Sequence, residues 1–133
     1  MIGLDTNVLM RLFVDDDPTQ ARQAREFVSD RCTPDDPGFV DRVALCEMVW
    51  VLSGAHGFGR AEIAGVIHKL LGSRDLVVED QDAVRPALRA FASRGVDFAD
   101  ALIGEVNRAR GCEATATFDR KAAKLDGFMR IGR

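Results

Sequence analysis

A chain of 133 residues, 47% apolar and 29% charged, has the balance of one soluble folded domain, and residues 1–133 are long enough to bury about two-thirds of the unfolded surface. This composition excludes a disordered chain, no run of eighteen apolar residues offers a membrane span, and no signal-like segment argues for export, so a cytoplasmic protein is expected. The net charge of −3 argues against indiscriminate nucleic-acid binding, although residues 120–133 carry +4 against −7 over the remainder.

In chain order, the apolar run Met1–Leu4 reads as a first strand, with Asp5 at its end. Val8, Leu9, Leu12 and Phe13 then repeat at helical spacing until "DDDP" stops them. A second helix starts at Pro18, with Asp17 as its cap and Gln20 three positions on, and should turn Ala21, Ala24, Phe27 and Val28 inward. "TPDDPGF" reads as a loop. "DRVALCEMVWVLSG" is apolar almost all round, and its length and terminal Gly54 favour a buried helix. After the turn "AHGFG", Ile63, Val66, Ile67, Leu70 and Leu71 mark an amphipathic helix closed by Gly72.

"DLVVE" is short and branched, as a strand should be. The next helix has Val84, Ala87, Leu88 and Phe91 inside, Pro86 expected in its first turn and Gly95 at its end. "DFADALIGEVNRARG" is another capped helix, followed by a strand in "EATATF", a short helix in "DRKAAKL" and a last strand in "FMRI". Helical segments separate the strands, so the expected fold is α/β: three layers, with a central parallel sheet of four or five strands flanked by helices. Cys32, Cys46 and Cys112 are odd in number and widely separated, which suggests neither a disulfide framework nor a zinc site.

The acids form a pattern. Asp5 and Asp119 both follow a strand, at the sheet edge where open α/β proteins place their sites. Asp97 and Asp100 share a helix face near its start. Glu47 is the single charged residue between Val43 and Leu52, and burying an unpaired carboxylate there would cost several kcal/mol. A hard divalent cation such as Mg²⁺ or Mn²⁺ would join Asp5, Glu47, Asp100 and Asp119. Taken singly, Asp5, Asp97 and Asp119 read as helix caps ahead of ligands, and Glu47 has the option of an arginine partner; their joint placement shifts the balance.

"IGLDTNVLMRLF", "VALCEMVWVL", "DFADALI" and "ATATFDRKAAKL" resemble, in order, the four acidic motifs of PIN-domain ribonucleases. The length and the sequence around Glu47 are most similar to the VapC-type toxins of toxin–antitoxin pairs. The resemblance implies a metal-dependent endoribonuclease in which Asp5, Glu47, Asp100 and Asp119 hold Mg²⁺ or Mn²⁺ and activate a water against an RNA phosphate. Asp97 would join the outer shell, and Thr6, Asn7 and Thr117 would orient carboxylates or waters. It further implies a cognate antitoxin and a homodimer, for which Trp50 and Phe58 are candidate groove residues. Because an acidic pocket repels a polyanion, RNA calls for basic groups, and Arg11, Arg42, Arg120, Lys121 and Lys124 are the candidates. Two rivals are a Mg²⁺-dependent phosphotransfer domain, which "DTN" fits poorly for want of a D-x-D pair, and a non-catalytic binding module whose acids only cap helices.

Overall fold

The computed structural model describes residues 1–132, so Arg133, counted in the basic carboxyl-terminal stretch, lies outside the described residues. The chain forms two compact units, Met1–Glu79 and a second beginning at Asp80. In the first, β1 (Ile2–Gly3), α1 (Thr6–Arg11), α2 (Pro18–Arg31), β2 (Gly38–Val40), α3 (Arg42–Gly54), α4 (Arg60–Gly72) and β3 (Leu76–Val78) follow one another. The strands pair in parallel in the order β1-β2-β3, with Ile2 level with Gly38 and Gly38 level with Leu76. Helices bridge each parallel step, as strands running the same way require.

Leu9, Val40, Leu45, Met48, Leu52, Ile63, Ile67 and Leu70 make the core of this unit. Gly38 in the middle strand is forced by close packing: a Cβ there would meet Leu76 Cδ2 at 2.8 Å and Cys32 Sγ at 3.1 Å. Cys32 is buried, and that burial pushes its thiol above the usual range. It serves as a small apolar filler.

Three expectations for this unit change. β2 begins inside the segment expected to be loop, because a three-residue strand beside Pro37 is too short to show alternation. Helix α3 is amphipathic rather than buried all round: Ala44, Leu45, Met48, Val49 and Leu52 face inward, while Val43 and Trp50 are 76% and 77% exposed and Glu47 is exposed with them. Its outward face is itself largely apolar, which hid the helical period. Phe27 is also exposed, at 41%, rather than turned inward.

The second unit runs α5 (Gln81–Arg94), α6 (Phe98–Ala109), β4 (Thr115–Thr117), a single 3₁₀ turn (Ala122–Lys124) where a short helix was expected, and β5 (Phe128–Arg130). The two helices pack through Val84, Ala87, Leu88 and Phe91 of α5 and Phe98, Ala101 and Leu102 of α6, the Phe91 and Phe98 rings meeting edge to face at 6.0 Å. Pro86 lies in the second turn of α5 rather than the first, which removes one backbone donor from the helix interior. Gly95 ends that helix with φ 68°, in the left-handed region. Strands β4 and β5 pair in parallel, and Asn107 Nδ2 of α6 donates to Thr115 Oγ1 of β4 at 3.0 Å. The strands thus hydrogen-bond as a parallel ladder of three in the first unit and a parallel ladder of two in the second. No described helix is long and apolar enough to cross a membrane.

Gly104 of α6 is buried against Phe128 of β5, and a Cβ added there would lie 2.3 Å from Phe128 Cε2. Gly104→Ala is therefore expected to destabilise the protein by about 1–3 kcal/mol in chemical unfolding, the usual range for overpacking. Phe128→Leu in the same chain should recover part of that loss, and strictly additive effects of the two changes would disprove the contact as the cause.

Candidate active site

The register of the first unit, continued past its paired residues, brings Asp5, Asp41 and Glu79 abreast at the carboxyl ends of β1, β2 and β3. Asp41 and Glu79 were not singled out by the sequence, since Asp41 becomes a strand-end acid only once β2 is recognised and Glu79 reads as part of a strand. A cavity of about 450 Å³ is lined by all three acids together with Thr6 and Arg42. A second cavity, of about 650 Å³, also reaches Asp5 and is lined by Asn7, Arg11, Gln20, Gln23 and Phe27 among others.

The three carboxylates are committed differently. Asp41 Oδ1 accepts the Ala44 N–H at 2.8 Å and so caps α3. Glu79 Oε1 accepts the Arg42 N–H at 2.8 Å and faces Arg42 Nε at 3.4 Å. Both acids hold the start of α3. Asp5 uses one oxygen, Oδ1, to accept the Val8 N–H at 3.0 Å. Glu47 lies one turn beyond Val43, lines neither cavity and is exposed, so it escapes the desolvation cost expected of it. Of the basic candidates in this unit, Arg42 is paired with Glu79, while Arg11 binds Asp16 at 2.5 Å and Gln20 Oε1 at 3.0 Å.

In the second unit Asp97 and Asp119 both lie within charge range of Asp100. Asp97 caps α6 by accepting the Asp100 N–H at 3.1 Å. Asp119 Oδ1 accepts the N–H groups of Lys121 at 2.7 Å and Ala122 at 2.9 Å, while its own N–H donates to Thr117 Oγ1 at 3.0 Å. Asp100 is half-buried, and burial, followed by the charges of Asp97 and Asp119, pushes its carboxyl above the usual range. Arg120, Lys121 and Lys124 are exposed on the segment after Asp119.

Among the described residues no three His, Cys, Asp or Glu side chains converge into a ready-made metal cage. The donor set nevertheless fits a hard divalent ion. In the second unit it is all carboxylate oxygen, with Asp100 held near the like charges of Asp97 and Asp119, and the hydrogen bonds of Asp119 engage Oδ1. Mg²⁺ in particular keeps several waters and binds through one or two carboxylates plus substrate phosphate rather than through a protein cage.

Comparison with known proteins agrees with this chemistry. A family model described as PIN domain matches residues 2–128. The chain is also 24% identical, over 128 residues, to a VapC ribonuclease of Aquifex aeolicus (strain VF5), a match covering 96% of this chain and 93% of that protein.

The raised Asp100 carboxyl has a consequence for stability. Its folded pKa lies above the unfolded one, so the charged form opposes folding at neutral pH, and that penalty fades as pH falls through the folded value. Asp100→Asn should therefore leave the metal-free protein at least as stable as the parent near pH 7, with a raised thermal midpoint and a flatter stability profile between neutral and mildly acidic pH. Thermal unfolding across that range checks it, and a clearly lower midpoint for the variant at neutral pH would contradict the repulsion.

Proposed function

Because the chain belongs to the PIN domain family, we propose that it is a metal-dependent endoribonuclease, the toxin of a type II toxin–antitoxin pair, that cuts RNA phosphodiester bonds with an activated water. The observation that carries this reading is that Asp100 is half-buried within range of the like charges of Asp97 and Asp119, a repulsion that a divalent cation relieves. The likeness to a VapC ribonuclease over nearly the whole chain supports the choice of RNA as substrate. Residues 1–133 act as one nuclease domain in this reading, since a single family match runs through both units.

Asp5, Glu47, Asp100 and Asp119 are the proposed metal-holding acids, carried over by motif, with Mg²⁺ or Mn²⁺ as the ion. Such an ion lowers the pKa of a water and offsets charge growing on the phosphoryl oxygens. The protein's part is to hold its carboxylates still. Two backbone N–H groups fix Oδ1 of Asp119, and the Thr117 hydroxyl fixes the turn behind it by accepting the Asp119 N–H. The Val8 N–H does the same for Asp5. Asp97 sets the start of α6, and with it the position of Asp100 one turn on. Thr6 and Asn7 flank Asp5, one on each cavity, where they orient water or carboxylate.

RNA is held by cations outside the acid cluster. Arg120, Lys121 and Lys124 are exposed and suit mobile contacts to phosphate. Arg42 and Arg11 are tied to Glu79 and Asp16, so they offer RNA fixed hydrogen-bond donors rather than free charge for phosphate. The protein works in the cytoplasm with a cognate antitoxin and a second copy of itself. Trp50, with its neighbour Val43 on the exposed face of α3, is the surface offered for one of these contacts, while Phe58 is half-buried.

The test is RNA cleavage by purified protein with Mg²⁺ or Mn²⁺, beside Asp5→Asn and Asp119→Asn. Both variants should lose activity by more than about a hundredfold, beyond what outer-shell partners of a metal contribute. Because Asn caps about as well as Asp, each should keep its stability within about 0.5 kcal/mol. Equal cleavage by parent and variants would mean a contaminant or a wrong site, and a protein that neither cleaves RNA nor binds Mn²⁺ would favour the non-catalytic module.

A further inference from the structure

The 650 Å³ cavity beside Asp5 has a lining that metal chemistry does not need. Besides Asp5 its polar members are the amides Asn7, Gln20 and Gln23 and the guanidinium of Arg11, and its edge carries Phe27, 41% exposed. Part of this wall is prearranged. Asp16 holds Arg11, and Arg11 Nε donates to Gln20 Oε1 at 3.0 Å, which fixes that carboxamide and leaves its NH₂ as donor. An aromatic face, side-chain amides (here with Gln20 held in place) and a planar guanidinium are the groups with which proteins take unstacked bases of single-stranded RNA, through stacking and through hydrogen bonds to base edges. A phosphate would instead call for uncompensated cations, and the arginine here is already ion-paired.

We propose that this cavity is a nucleobase subsite, which receives the base next to the scissile phosphate and sets the sequence preference of cleavage, with Phe27 as the stacking platform and Gln23 and Gln20 reading the base edge. The inference rests on the nuclease reading, because the cavity shares Asp5 with it.

The test uses the full chain carrying Asp119→Asn, so that RNA stays intact, and measures binding of four labelled single-stranded RNA pentamers, each of a single base. The parent should rank the four bases. Phe27→Ala and Phe27→Leu should each weaken the best pentamer about tenfold, within the range of base stacking on an aromatic ring. The leucine variant, which keeps the apolar volume, controls for folding. Gln23→Ala should compress the ranking with a smaller loss, whereas Lys121→Ala should weaken all four alike and lower the salt dependence, as a phosphate contact does. Unchanged binding in the Phe27 and Gln23 variants would overturn the subsite. So would a parent that does not rank the bases. None of these results touches the nuclease reading, which stands or falls on cleavage by Asp5→Asn and Asp119→Asn with a metal ion present.

Discussion

A helix that starts directly after a strand exposes backbone N–H groups with no partner inside the helix, and each must find an acceptor. This chain meets the demand with carboxylates. Asp5 after β1, Asp41 after β2 and Asp119 after β4 each turn Oδ1 onto N–H groups two or three residues on. The fourth junction departs from the pattern: Glu79 follows β3 but reaches across to the first N–H of α3, and the Asp80 side chain makes no cap bond to α5. The arrangement sets negative charge at the carboxyl edge of parallel strands, where α/β proteins put their chemistry. Capping therefore asks for an acid where the proposed chemistry also wants one, and the cap bonds of Asp5 and Asp119 engage Oδ1.

That shared demand explains which parts of the fold and the site were legible in the sequence. The strand before Asp5, the helix capped by Asp17 and the terminator Gly95 are each announced by a local signal: an apolar run, a cap before proline, or a glycine after a helical period. β2 is not announced, because three residues behind a proline-containing loop give no alternation to read, and Asp41 was lost with it. The amphipathic nature of α3 was hidden for a different reason. Periodicity reports a helix face only when the two faces differ in polarity, and Val43 and Trp50 stand on the outward one.

Glu47 shows how an inference can stand on one footing and lose another. Its apolar neighbours suggested burial and hence a compulsory partner, yet the residue is exposed among outward-facing apolar side chains. Its assignment now rests on the acidic motif in which it lies and not on desolvation. Asp100 took the opposite course. Its sequence context offered no more than spacing from Asp97, while its surroundings in the fold supply both partial burial and two like charges.

A carboxylate held against two others is a standing cost to the fold unless something positive joins it, and nearby arginines would be the simplest remedy. The chain does not apply that remedy at Asp100: no ion pair of Asp97, Asp100 or Asp119 with a Lys or Arg occurs among the described residues, and the exposed cations Arg120 and Lys121 follow Asp119 without pairing to it. At Glu79, by contrast, the same remedy is in use, with Arg42 3.4 Å away. The difference separates an acid that braces a helix from acids left uncompensated, and uncompensated charge in a partly buried cluster is the electrostatic condition that a divalent cation resolves.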